Sequence, residues 1–271
     1  LADIDPETLS VNAETLAAAR THKTRCAVVV HQFGYPLTRA DLGEVLTGIP
    51  VIEDAACAFA ATGHDGVPAG TWGTIGCFSF HPRKGITTGE GGLVTAQSPE
   101  HLAQLQLLRN HGQQINPEGR DFVLPGFNYR MNELAAVLGL SQLNRFNTEL
   151  QTRRSLAETY ITQLERLDHI TVPTGANHPG HVQQTFVVAL REGIDRAQYT
   201  KRLRNLGIEC GPASFALHLQ SYLRKKYGFA ENDFPVARWA HEKLIALPLH
   251  GQMTHDDVFC VVNALEDALH E

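Results

Sequence analysis

The chain contains no C-x-x-C pair, and its five cysteines, Cys26, Cys57, Cys77, Cys210 and Cys260, are widely scattered. That spacing argues against a zinc site or a disulfide framework and points to a reducing, cytoplasmic setting. No apolar stretch reaches the length needed to span a bilayer. The opening Leu1-Ala2-Asp3-Ile4-Asp5-Pro6 is too polar for a signal peptide. No basic run of the kind that tracks nucleic acid is present, and the net charge of −6 is mildly acidic and well mixed. No G-x-G-x-x-G follows a strand pattern, which argues against a generic nucleotide-binding domain. There is no internal repeat and no low-complexity segment. What is there is 271 residues, enough for one large domain or one and a half ordinary ones with an ample core.

Apolar periodicity places a short helix over 12–20. Cys26-Ala27-Val28-Val29-Val30 reads as a strand buried on both faces, as in a parallel sheet. A helix over 39–46 and a strand at Val51-Ile52 complete a βαβ unit, whose crossover is right-handed by rule. Ile75 to Phe80 is a further strand, and Gly89-Glu90-Gly91-Gly92 turns the chain into Leu93-Val94-Thr95-Ala96. Ser98 caps a helix that runs to about Asn110 and ends at His111-Gly112. The polar stretch 113–126 reads as a long loop, functional or mobile, and 131–167 as two consecutive helices. Further on, the pattern gives a strand over 184–190, a helix over 195–206 and a short strand at Ile208-Glu209-Cys210. Helices over 236–246 and 256–269 close the chain. The boundary falls near Asp168, with a largely parallel α/β portion over 1–167 and a smaller α+β portion over 168–271.

Lys84 follows an apolar strand and precedes the glycine-rich turn Thr87-Thr88-Gly89-Glu90-Gly91-Gly92. The lysines at 23, 201, 225, 226 and 243 sit instead in polar or amphipathic helical surroundings. A lysine in a loop just beyond a strand can form an imine with an aldehyde cofactor. Asp54 ends the run Val51-Ile52-Glu53-Asp54, where it can hold a pyridine nitrogen protonated. Ligands of open α/β sheets gather at such strand ends. Ser79, on the strand before Lys84, offers a hydroxyl to a phosphate. The plain alternatives are a helix cap for Asp54, a solvated amine for Lys84 and a self-satisfied hydroxyl for Ser79. Together the three residues describe pyridoxal phosphate (PLP) chemistry.

Three segments carry a resemblance to a known family: Val51-Ile52-Glu53-Asp54-Ala55-Ala56, Gly76-Cys77-Phe78-Ser79-Phe80-His81-Pro82-Arg83-Lys84 and the turn 87–92. They closely resemble the PLP-dependent sugar aminotransferases called DegT/DnrJ/EryC1/StrS, of the aspartate-aminotransferase fold (fold type I). The likeness continues through Arg109-Asn110-His111-Gly112, Gly126-Phe127-Asn128-Tyr129-Arg130-Met131-Asn132, Leu217-His218-Leu219-Gln220 and Leu247-Pro248-Leu249-His250. The motifs cover essentially the whole chain in order, and the cluster is specific where each motif alone is weak.

The resemblance implies roles residue by residue. Lys84 matches the Schiff-base lysine, Asp54 the partner of the pyridine nitrogen, and Ser79 a contact to the cofactor phosphate. Asn128 matches an asparagine that reaches the phosphate of a neighbouring subunit, which implies a homodimer with shared active sites. His218 matches a histidine near the nucleotide-sugar substrate. Cys57 stands where the family commonly has glutamine or histidine beside the cofactor's ring oxygen, and a thiol is the weaker donor. Family members also begin with a segment before the position of Leu1, carrying a phosphate-binding turn at a helix N-terminus. By resemblance the chain is therefore N-terminally truncated, and weak PLP binding is expected of it alone.

The activity implied is transfer of an amino group from an amino acid, with glutamate the expected donor, to a keto group of a nucleotide-linked sugar. Such a step makes precursors for polysaccharides or glycans. A sister activity, sugar dehydration, goes with histidine in place of the lysine, and Lys84 argues against it. The second reading is a truncated, non-catalytic remnant that serves as a fold fragment or dimerisation partner.

Overall fold

The computed structural model describes residues 1–270. Helix α1 (Ala13–Ala19) opens with a reciprocal cap, in which the Asn12 side chain accepts Thr15 N–H and the Thr15 hydroxyl accepts Asn12 N–H. Strand β1 (Ala27–Val30) and helix α2 (Arg39–Leu42) follow. The helix expected over 39–46 is shorter than predicted. Gly43, at φ +56°, breaks it, and 43–46 continue as a 3-10 turn. Strands β2 (Val51–Asp54), β3 (Ile75–Ser79) and β4 (Gly92–Ala96) complete a first sheet in the order β1-β2-β3-β4. The first three run parallel and β4 pairs antiparallel to β3. Asp54 lies opposite Val30 on one side and Cys77 on the other. The pleat therefore puts Asp54 and Cys77 on one face and Glu53 on the other.

The expectation that β1 is buried on both faces is corrected here. Val29 is buried, but Val28 and Val30 are 58% and 38% exposed. Their side borders a groove of about 670 Å³ that α1 and the Phe215–His218 segment also line. An all-apolar run looks the same in sequence whether one face or two are covered by the residues described.

Helix α3 (Pro99–Arg109) is capped by Ser98 and stops before His111 and Gly112, both at positive φ. The polar stretch 113–126 is not a loop throughout: β5 (Gln113–Asn116) and β6 (Gly119–Phe122) form an antiparallel hairpin. Helix α4 (Glu133–Leu164) is one 32-residue helix rather than two. Its middle packs Phe146 and Leu150 with Ala55, Ala58 and Ile86. Its second half carries Leu156, Tyr160 and Leu164 into a second core. One helix serves both cores, and so it runs unbroken.

The second sheet is antiparallel, with strands β7 (Ile170–Thr171), β8 (Phe186–Leu190), β9 (Gly211–Pro212) and β10 (Leu244–Leu247) in the order β7-β8-β10-β9. Helices α5 (Arg196–Asn205), α6 (Ser221–Tyr227), α7 (Pro235–Lys243) and α8 (His255–His270) accompany it. Two expectations fail here. The short strand is at 211–212, not 208–210, and the helix over 236–246 ends at Lys243. Leu244 to Leu247 leave it because pairing with β8 and β9 buries Leu244, Ile245 and Leu247 almost completely. Each such side chain contributes about 1.5–3 kcal/mol. Residues 3–9 also cross to this side. The Asp3 carboxylate accepts Val236 and Ala237 N–H at the start of α7, and Leu9 joins Val187, Ala189 and Leu244.

Candidate active site

The groups singled out in sequence stand at, or just past, the C-terminal ends of β2 and β3. Asp54 is the last residue of β2 and is half-buried. Its Oδ1 accepts Ala56 N–H at 3.1 Å, and its carbonyl accepts His31 N–H at 3.0 Å. Burial first, and the Asp54 charge second, push the neighbouring Cys77 thiol above its ordinary range. Ser79 ends β3, and its Oγ accepts His81 N–H at 3.3 Å, which leaves its O–H to donate elsewhere.

Lys84 lies in the turn that follows, its N–H bonded to His81 O at 2.9 Å. The glycine-rich turn is held against α4 by Gln142, whose Oε1 accepts Thr87 N–H at 3.1 Å while its Nε2 donates to Thr87 O at 2.5 Å. The Lys84 amine is 3.0 Å from Cys57 Sγ. Cys57, Ser79 and Lys84 line one pocket, shared with Phe146 and Arg153 of α4 and with Gln184. Gln184 donates to Arg83 O at 3.0 Å and so ties the second portion of the chain to the lysine loop.

Arg153 is a pocket residue that the sequence reading missed. Its Nε is buried without a hydrogen-bond partner, and burial lowers its pKa while Glu149 opposes the shift. The signal was available, because Phe146, Leu150 and Arg153 follow one helical face at i, i+4 and i+7.

Asp54, Asn128 and His218 are not among the residues lining this pocket, although Ala56, two residues after Asp54, is. Asn128 is exposed and bridges Asn110 through the backbone. His218 is 1% exposed, bonds Glu231 O through Nε2 at 3.1 Å and borders the large groove beside β1. Among the described residues no cluster could hold a metal ion, and no helix is long and apolar enough to cross a membrane.

An amine, a carboxylate and a hydroxyl at or just past adjacent strand ends are three of the groups that a pyridine aldehyde phosphate uses. The residues present fit that group. The profile of the DegT/DnrJ/EryC1/StrS aminotransferase family matches residues 1–266. The chain belongs to this family. It is 35% identical over 275 residues to GDP-perosamine synthase of Caulobacter vibrioides, across 99% of this chain and 72% of that protein. The crystal structure of the aminotransferase TlmJ from Streptoalloteichus hindustanus superposes with a TM-score of 0.89 at 29% identity, covering 100% of this chain and 72% of TlmJ. The PLP form of Spr1654 from Streptococcus pneumoniae gives 0.89 at 25% identity, over 99% and 74% of the two chains. The DegT/DnrJ/EryC1/StrS chain described here is thus a PLP-dependent sugar aminotransferase of fold type I, with the lysine in the turn that leaves a mostly parallel sheet.

Proposed function

We propose that this aminotransferase moves an amino group from an amino acid, with glutamate the expected donor, onto a keto group of a nucleotide-linked sugar destined for a polysaccharide or glycan. The observation that carries the reading is the Lys84 amine, held in a hydrogen-bonded turn at the end of β3 with Asp54 at the end of the adjacent strand. The relation to GDP-perosamine synthase supports a nucleotide sugar as acceptor. PLP, when bound, supplies the electron sink. Lys84 Nζ would hold the cofactor's aldehyde carbon, and its amine would move the proton on and off the substrate carbon. Asp54 would keep the pyridine nitrogen protonated, and Ser79 Oγ would donate to the phosphate. Cys57 orients the Lys84 amine and would stand beside the cofactor's ring oxygen.

The reading includes a cofactor-binding portion over 1–167, a smaller portion over 168–271 and a cytoplasmic setting. It also includes a homodimer. The segment that carries Asn128 presents Phe127, Tyr129, Leu134 and Val137, each 64–86% exposed, and the hairpin exposes Ile115 and Phe122. Exposed apolar side chains in that number fit a second copy of the chain, with Asn128 completing the neighbour's cofactor site and His218 near the nucleotide-sugar substrate. The intact set Lys84, Asp54 and Ser79 weighs against a non-catalytic remnant. The test is incubation with PLP, glutamate and a nucleotide-linked keto sugar, followed by mass spectrometry. An amino sugar nucleotide is expected; a dehydrated, amine-free product would overturn the reading.

A further inference from the structure

Glu53, next to Asp54, is completely buried, as is His31 at the end of β1. The Glu53 carboxylate accepts Trp72 N–H (2.8 Å) and Gly73 N–H (2.6 Å) on Oε1. On Oε2 it accepts Gly70 N–H (2.6 Å) and the His31 Nε2–H (2.9 Å). His31 Nδ1 accepts Leu37 N–H at 3.0 Å, so a neutral imidazole satisfies every partner. Three peptide donors and one imidazole fill the sites of a carboxylate that would otherwise be costly to bury. The 70–73 loop is pressed close, since a Cβ on Gly73 would meet Val51 O at 2.9 Å.

This network grips the strand end from two sides. The His31 side chain holds Glu53, and the His31 N–H holds the carbonyl of Asp54 at 3.0 Å. We infer that Glu53 and His31 are the positioning pair of Asp54: they fix the last peptide of β2 so that the Asp54 carboxylate projects at a set place on the opposite face of the sheet. The inference rests on the reading that Asp54 serves the pyridine nitrogen, but the placement itself can be tested without cofactor.

Cys77 is the reporter, because it shares the face and the ladder position of Asp54 and feels its charge. The rate of Cys77 alkylation is followed against pH by peptide mapping in the full chain. Asp54→Asn is expected to speed it at pH 8 by about threefold, as loss of a nearby charge frees more thiolate. Glu53→Gln, which keeps the shape and breaks the acceptor set, is expected to approach the Asp54→Asn rate while circular dichroism stays native. The double variant Glu53→Gln/Asp54→Asn is expected to match Asp54→Asn alone.

Two outcomes overturn the inference. One is a Glu53→Gln rate equal to that of the parent; the other is a double variant faster than Asp54→Asn, which would mean the loop has merely opened. If Glu53→Gln does not fold, His31→Gln carries the test. Its amide can donate to Glu53 and accept from Leu37, so it should keep the parent Cys77 rate where His31→Ala does not. Equal rates in those two variants would also overturn the inference. Neither result depends on PLP binding, so failure of the cofactor reading and failure of this one are separable.

Discussion

Asp54→Asn separates charge from shape at the candidate site. Asparagine Oδ1 can still accept Ala56 N–H, and the bond from His31 N–H to the residue 54 carbonyl is untouched. The strand ladder to Val30 and Cys77 also remains. Stability should therefore change by less than about 1 kcal/mol. What is lost is one negative charge facing a protonated ring nitrogen. Two unit charges about 4 Å apart interact by about 4 kcal/mol at an effective dielectric near 20. Asp54 is only half-buried, and solvent screening halves that to about 2 kcal/mol. If the whole difference falls on the proton-transfer step, the rate drops about thirtyfold. The assay is single-turnover amino transfer at saturating PLP, with thermal unfolding alongside. A rate within threefold of the parent, with the fold intact, would mean that Asp54 is only a turn residue and the reasoning is wrong.

Leu134→Glu places a charge on the first turn of α4 at a residue 86% exposed, and should convert a dimer to monomers in sedimentation velocity without lowering the melting temperature. Unchanged mass would remove that face from the interface. His181 is buried, and burial, His178 and Arg154 push its pKa down to about 3. A folded value below the unfolded 6.5 stabilises the neutral form, so this contribution is whole above pH 6.5 and is lost as pH falls toward 3. The loss should reach about 4–5 kcal/mol at most. His181→Asn, which can still accept Gln183 N–H, should flatten the melting temperature between pH 6.5 and 4; an unchanged slope would assign the acid lability elsewhere. His218→Ala should cost about 2–3 kcal/mol, because it removes a buried ring from Phe234 and a bond to Glu231 O. A native melting temperature would contradict that packing role.

The strand ends that carry Asp54 and Ser79 were legible because each follows a short apolar run, and Lys84 because it alone among the lysines precedes a glycine turn. The cap at Ser98 was legible because a serine stands just before a helical pattern. β10 was not, since Leu244 to Leu247 continue α7 without a glycine or proline between them, and only pairing with β8 and β9 decides their state. The β5–β6 hairpin is polar and pairs only with itself, so no burial pattern announces it. Glu53 read as an ordinary strand residue. Its position two after the buried Val51, on the face away from Asp54, was the available sign that a carboxylate had to be satisfied inside. Gln184 reaches the pocket from 100 residues beyond Lys84, a juxtaposition that belongs to tertiary packing alone, whereas Arg153 shares a helical face with Phe146 and Leu150.

The central claim is that Lys84 holds the cofactor, and one measurement addresses it most directly. The protein is incubated with PLP, reduced with borohydride, digested and mapped by mass spectrometry. The account predicts the covalent label on the peptide containing Lys84 and its disappearance in Lys84→Ala. A label on Lys23 or Lys201, with Lys84 unmodified, would contradict it.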